Sequence, residues 1–398
     1  MDNRHAIISG GSIAGLSAAF WLASTGWRVT VIERAPAFRE GGQNIDVRGV
    51  ARDVLTKMGL FEAVQAENTT ETGAVIVDQN GRVTAELPSA NEDGKGGATA
   101  ELEVLRGDLA HVILDALPDG VSFIYGDAIT SITDGSGHVE VTTRAGLSLS
   151  ADLLVIAEGV RSSSRELVFG GEADATDLDV TMVFGTIPRT PSDDDRWRWH
   201  NTVGGRQIHL RPDNHGTIRT ILAYSPGSDL AGLDRTEMLA TVRARYAGAG
   251  WETTRILDAL DSSDDVYIDE LTQIRMPTWH RGRVAIAGDA AWCVTPMGGG
   301  GASLALTSGY VLAAYLHSET SLDAALSSYD TWMRPLVDDV QKLPAGLKNF
   351  AYPQTQLGLR LRKLADRAMT SRLLMPVAAK LTQVAETHRE LPPLPREH

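Results

Sequence analysis

The segment GGSIAG at residues 10–15 constrains this chain more than any other feature, because it lies between a short apolar run at 5–9 and a stretch of helical spacing at 14–25. The pattern is G-x-G-x-x-G with Ser12 in the middle position. Gly10 allows a tight turn, a small residue at 12 lets the backbone approach a pyrophosphate, and Gly15 lets helix and strand pack closely. Ile13 and Ala14 open the helix, whose free N–H groups and partial positive charge point at the phosphates. A second apolar run at 27–33 completes a β-α-β unit. Glu33 ends it near the spacing of the acid that binds a ribose 2′-hydroxyl and disfavours a 2′-phosphate, so this site suits FAD or NAD rather than NADP. The alternative is a glycine-rich turn with no ligand.

The rest of the chain interleaves two kinds of pattern. Buried-strand runs recur at 153–157 (LLVIA) and 283–287 (RVAIA), and helical spacing at 50–58 and 106–116. Between them lie a strand-turn-strand pattern at 73–87, a polar glycine-rich loop at 88–100, short strands over 121–151, and a mostly β stretch at 177–276 with one helix at 236–247. After Ser303 the pattern is largely helical. The expected fold is α/β (α+β): a Rossmann-like FAD-binding domain (1–72, 99–175 and 277–335), interleaved with a β-sheet substrate domain (73–98 and 176–276) and followed by a C-terminal helical segment (336–398).

Charge and composition exclude several classes. With 37 Lys+Arg against 51 Asp+Glu, the net charge of −14 argues against nucleic acid or an anionic membrane as partner. Hydrophobic residues at 43% and charged residues at 22% describe a globular chain. Cys293 is the only cysteine, which removes intrachain disulfides and Cys-based metal sites, and no metal is expected. The longest uncharged stretch, 290–318, is interrupted by Pro296 and four glycines, so it reads as a loop and a buried helix rather than a membrane span. A cytoplasmic protein, monomeric or homodimeric, is the expectation.

In RVAIAGDAAW at 283–292, followed by PMGGGG at 296–301, a buried strand ends at Gly288-Asp289 and a glycine-rich loop leads into an apolar helix. Asp289 is placed to hold a ribityl hydroxyl. Gly299, Gly301 and Ala302 bring backbone N–H groups and a helix N-terminus toward the N1/C2=O edge of a flavin, where reduction leaves negative charge. This arrangement resembles the GD motif of class A flavoprotein monooxygenases, the para-hydroxybenzoate hydroxylase-like family. Four further segments are similar to that family in order. Glu33-Arg34 looks like its Glu-Arg pair at the adenosine ribose. GQNIDVRG at 42–49, with Asp46 and Arg48, resembles the loop over the flavin in tetracycline-inactivating members. Arg106 in EVLRGDL resembles the arginine that reaches the FAD region. ADLLVIAEGVRS at 151–162 resembles the DG motif that contacts FAD and NAD(P)H. The sequence departs from the family in having Glu158 for the DG aspartate and Trp292 for the histidine after GDAA.

The resemblance covers roughly 1–335 and implies FAD as cofactor and NADPH or NADH as co-substrate. Dioxygen would then form a flavin C4a-hydroperoxide that hydroxylates an aromatic or polyketide-like small molecule. The alternatives are a flavin-dependent reductase or dehydrogenase without oxygen insertion, and a flavin-binding protein with no catalysis. A halogenase is disfavoured, since no W-x-W-x-I-P occurs in the first third. No catalytic protein nucleophile is expected. Substrate candidates are His200 and His209 as a base on a phenol, Arg211 and Arg219 as ligands of an acidic group, and Trp292 and Pro296 above the flavin. The competing readings are ordinary strand histidines, surface arginines and core packing.

Overall fold

The β-α-β unit at the N-terminus seeds a parallel sheet. The computed structural model describes residues 4–38, 41–87, 102–135, 137–227, 230, 232–344, 346–369 and 389–394. Strands Val284–Ile286, Leu153–Ile156, His5–Ser9, Arg28–Glu33 and Val121–Tyr125 lie side by side and parallel, with His280–Arg281 antiparallel on one edge. The inner strands read as unbroken apolar runs because both faces are covered. On one face lie the helices Ile13–Ser24 and Gly301–Ser318. On the other lies a three-stranded antiparallel sheet of Ile129–Asp134, Val139–Thr143 and Ser148–Ala151.

The two helices touch almost backbone to backbone. A Cβ on Gly309 would lie 2.4 Å from Ser17 Oγ and 2.5 Å from the backbone N of Ala18. Ser17 Oγ donates to the Leu306 carbonyl at 2.7 Å across the same contact. This crossing fixes the N-termini of both helices beside the C-terminal ends of the parallel strands.

A second, seven-stranded sheet has the order Val266–Arg275, Asp174–Pro188, Thr217–Tyr224, Arg206–Pro212, Trp197–Thr202, Ala74–Val77, Val83–Leu87. Its register sorts side chains by face. Val183, Leu222 and Ile208 lie in one row and pack under helices Arg235–Arg245 and Thr253–Ser262. The next row, Tyr267, Phe184, Ile221, His209 and Trp199, has the opposite parity. So has the row Asp269, Met182, Ala223, Gln207 and Asn201. This inner face turns toward the nucleotide layer: Met182, Ile221 and Ala223 belong to a small cluster with Met297 and Tyr352. A two-stranded ribbon, Asn44–Asp46 with Glu103–Leu105, lies at the join. Helices Leu322–Gln341, Leu347–Ala351 and Gln356–Met369 follow.

The strand-turn-strand at 73–87 and the helices at 50–58 and 106–116 match the sequence reading within a residue or two. Helix Thr253–Ser262 does not appear in that reading, which carried the stretch as β; its buried Ile256, Leu257 and Leu260 form a short stripe that the β-rich surroundings masked. The loop expected at 88–100 and residues 345, 370–388 and 395–398 of the expected C-terminal helical segment lie outside the described residues. Among the described residues no helix is long and apolar enough to cross a membrane.

Because nothing at the Gly309–Ser17 crossing can recede cheaply, Gly309→Val is expected to destabilise the protein by about 1–3 kcal/mol, read as a lower urea midpoint. An unchanged midpoint would mean that the helices do not meet there.

Candidate active site at the join of the two sheets

The turn at 10–15 has no room for side chains at its two glycines. A Cβ on Gly10, whose φ is +108°, would lie 2.3 Å from the Ala157 carbonyl oxygen, and one on Gly15 would lie 1.9 Å from the Gly10 carbonyl oxygen. Ser12 caps the helix without bonding its backbone; its hydroxyl instead accepts from Arg106 Nη2 at 2.6 Å. Ile13 and Ala14 are buried in the first turn. The Glu33 carboxylate accepts from the backbone N–H of Gly11 at 2.7 Å and of Ala35 at 2.8 Å, which holds it beside the turn. Arg34 is exposed next to it.

The GD segment arrives at the same place. A Cβ on Gly288 would meet the Ala14 methyl at 2.8 Å, so the end of strand Val284–Ile286 abuts the first helix turn. Asp289 follows, open to the cleft yet crowded by protein. This crowding raises its carboxyl pKa, against the opposing pull of Arg106. Its carboxylate makes no hydrogen bond or ion pair among the described residues, an orphan acceptor waiting for a donor. Gly299 and Gly300 have positive φ and lead into Gly301 and Ala302 at the N-terminus of the long helix, whose first N–H groups have no partner within the helix. Thr295 adopts φ +61° beside the exposed Pro296, and its buried hydroxyl has no partner among the described residues.

The loop at 41–49 closes one side. A Cβ on Gly107 would lie 2.5 Å from the Gly41 carbonyl oxygen. Asp46 pairs with Arg48 at 2.9 Å, and Ser303 Oγ accepts from the Arg48 N–H at 3.0 Å while donating to the Asp46 carbonyl at 3.2 Å. Gly107, Ser303, Tyr267 and Asp269 were absent from the sequence-based set. Gly107 alone carried a local signal, a glycine next to Arg106. The other three acquire meaning only through register.

The substrate candidates fare differently. His200 belongs to the opposite face from Trp199; its Nδ1 bonds to the Val77 carbonyl at 2.9 Å and its ring leans on Trp251, away from the cleft. This corrects the expectation of substrate contact, and strand parity is the reason. Trp292 also points elsewhere: it is 1% exposed and packs 4.4 Å from Trp279 within the core. Glu158, at the DG position, accepts from Ser9 Oγ, Ser162 Oγ, and the N–H and Oγ of Ser164, so it pins a strand to the helix Ser163–Phe169.

His209 does lie on the inner face, packed against both Trp197 and Trp199, which stack on each other. Trp197 Nε1 donates to its Nδ1 at 3.1 Å, which leaves Nε2 to donate to Gln207 at 3.3 Å and fixes one tautomer. Burial, with Arg211 and Arg362 adding to it, depresses its pKa to about 3, so the ring is neutral. Arg211 and Arg219 are not surface arginines. Arg211 bonds Glu71 at 3.0 Å and Glu103 at 2.5 Å and stacks 4.1 Å over Trp197. Arg219 bonds Asp213 at 3.0 Å and Asp265 at 2.8 Å. Both guanidiniums are already held by carboxylates within the fold, which speaks against an acidic substrate as their partner. From the C-terminal segment, Arg362 covers Trp199 at 5.5 Å and Phe350 at 4.5 Å while bonded to Asp366.

Comparison with known proteins agrees with this geometry. Residues 4–342 match the family described as FAD binding domain, and the chain belongs to that family. It is similar to the FAD-dependent monooxygenase asL4 of Sarocladium schorii, at 33% identity over 79% of this chain and 75% of the relative. It is also similar to the flavin-dependent monooxygenase eupH of a Phoma species, at 32% identity over 90% of each. Among solved structures, tetracycline destructase Tet(55) superposes with a TM-score of 0.81 at 26% identity, covering 98% of this chain and 99% of that one. The protein is an FAD-dependent monooxygenase.

Two outcomes follow from the site. Asp289→Ala removes a carboxyl on which no internal hydrogen bond depends. FAD affinity, followed by flavin fluorescence, should fall on the order of 10-fold, while the Tm of the apoprotein holds or rises. A fall in apoprotein Tm with unchanged affinity would reverse the assignment. Burial also raises the carboxyls of Glu71, to about 7, and Glu103, against the pull of Arg211. A carboxyl whose folded pKa is raised weakens the fold as pH climbs from its ordinary value through the raised one, and the cost vanishes in acid. Arg211→Met should therefore cost about 3–5 kcal/mol near neutral pH and distinctly less near pH 5, measured by urea unfolding at both.

Proposed function

We propose that this enzyme uses NADH or NADPH and dioxygen to insert one oxygen atom into an aromatic or polyketide-like small molecule held between the glycine-rich loop at 295–301 and the inner face of the seven-stranded sheet. The reading is supported above all by one juxtaposition: Arg106 bonds Ser12 in the phosphate-type turn and is close enough to Asp289 to oppose the rise that burial imposes on its carboxyl, so groups far apart in sequence face one elongated site. Relatives with monooxygenase names over most of the chain support it too.

The residues present fit FAD. The Gly10–Gly15 turn and Arg106 would receive the pyrophosphate, Glu33 and Arg34 the adenosine ribose, and Asp289 a ribityl hydroxyl. Gly299, Gly301 and Ala302 would offer N–H groups and a helix N-terminus to the electron-rich edge of the ring system. Asp46 and Arg48 would close the loop over it. When bound, FAD supplies the redox chemistry, accepting a hydride equivalent and activating dioxygen for transfer of one atom.

The protein's own share is positioning and the exclusion of water. Trp197, Trp199, Phe184 and Tyr267 line the inner face with aromatic surface suited to a planar ring. Met297, Met182 and Tyr352 seal one end. His209, neutral and bonded at both ring nitrogens, orients this wall and does not act as a base.

The test is turnover of a panel of polyhydroxylated aromatics by the holoenzyme under isotopically labelled dioxygen. One labelled oxygen atom in the product, with substrate-stimulated NAD(P)H oxidation, is expected. Substrate-stimulated oxidation with no label in any organic product would make the protein a reductase instead.

A further inference from the structure

The inner face of the sheet has lost its cations to internal partners. Of the chargeable side chains gathered there, Arg211 is held by Glu71 and Glu103, Arg219 by Asp213 and Asp265, and His209 is neutral. Asp269 is different. Its carboxylate makes neither a hydrogen bond nor an ion pair among the described residues, although protein surrounds much of it. It stands directly across from Met182, which packs with Met297 of the glycine-rich loop, and two residues along the strand from Tyr267. Tyr267 is 50% exposed yet stacked on Phe184, as expected of a ring facing an open cleft. Asp289, exposed just after strand Val284–Ile286, is near enough to act on both Asp269 and Tyr267.

We propose that Asp269 sets substrate choice: the pocket takes a neutral planar aromatic whose hydroxyl or N–H donates to the Asp269 carboxylate, and it rejects aromatic carboxylates. The inference rests on the monooxygenase reading and names the substrate class of that same site. A carboxylate can only accept, so it rewards a donor on the ring. An anionic substituent would meet Asp269 with no unpaired cation among the described residues of the sheet face to offset it; Arg106, which acts on Tyr267 and Asp289, is bonded to Ser12 in the phosphate-type turn, and like-charge contact in a partly desolvated site is strongly unfavourable.

The groups that act on Asp269 are few. Arg161 approaches from the turn after strand Leu153–Ile156, but its side chain is 71% exposed and is paired with Glu270 at 3.5 Å, so solvent weakens its pull. Glu270, on the same strand, accepts from the Leu230 N–H. Burial pushes the Asp269 carboxyl up to about 6, with Arg161 opposing and Asp289 and Glu270 adding. It is therefore ionised in mild alkali and largely protonated near pH 5.

The experiment titrates FAD-loaded enzyme with matched naphthalenes, a naphthalenediol against the corresponding hydroxynaphthoate, reading the flavin absorbance change. Near pH 8 the diol should bind at least about 10-fold more tightly. That ratio should shrink several-fold near pH 5, where the naphthoate is still an anion, and likewise in Asp269→Asn near pH 8. Asp269→Glu should restore it, and bound FAD should be unchanged in both variants. A naphthoate bound as tightly as the diol overturns the proposal, as does a ratio unmoved in Asp269→Asn or no response to either ligand. NAD(P)H oxidation by the holoenzyme across the panel of polyhydroxylated aromatics is scored separately. Its absence counts against the monooxygenase reading, and its presence with a failed ratio counts against Asp269 alone.

Discussion

The contact between the first helix and the long helix after the glycine-rich loop governs the architecture. Two helices meeting at Gly309 and Ser17 approach more closely than side chains normally permit. The first helix begins at the turn after strand His5–Ser9, and the long helix follows strand Val284–Ile286 through two one-turn helices, so fixing their crossing fixes where both N-termini lie. Hence the Gly10–Gly15 turn and the Gly299–Ala302 segment lie on the same side of the parallel sheet although some 280 residues separate them. Arg106 then bonds Ser12 in the first turn and also acts on Asp289, and the second sheet needs only to present a face to them.

That second sheet shows how a pocket's chemistry depends on what its charges already hold. Counted by composition, two arginines and a histidine on the inner face would suggest a site for acids. Counted after internal pairing, the same face is aromatic, with its cations held by carboxylates and, among the described residues, one unpaired carboxylate. Glu71, Glu103, Asp213 and Asp265 produce that inversion, and all four come from outside the strands that carry the arginines. The buried Arg211 group also ties the sheet to the ribbon strand that leads into Arg106, so the seam between the two layers is electrostatic as well as apolar.

The sequence was legible where spacing translates directly into geometry. The turn at 10–15, Glu33, Arg106 and Gly288-Asp289 lie in elements whose type and order follow from short-range pattern, and the structure brings them together. It was less legible where parity decides. His200 and His209 look alike in sequence, yet one faces the helices and the other the cleft, because they sit at positions of opposite parity on adjacent strands. Trp292 follows Asp289 closely enough to suggest the active site, but one short helical turn rotates it into the core. Asp269 and Tyr267 carry no local signal; they matter because the edge strand pairs them with Met182 and Phe184. Helix Thr253–Ser262 was hidden by the strands around it.

The loop at 41–49 is fastened at both ends, by the backbone contact of Gly41 with Gly107 and by the Ser303 hydroxyl that bridges Asp46 and Arg48. A segment anchored in this way shifts as one piece or hardly at all. Any rearrangement that lifts it must also disturb the start of the helix bearing Arg106 and the start of the helix bearing Gly301. Opening the cleft and loosening the grip on its contents are thus a single mechanical event in this protein, and a bulkier residue at position 107 would act on both together.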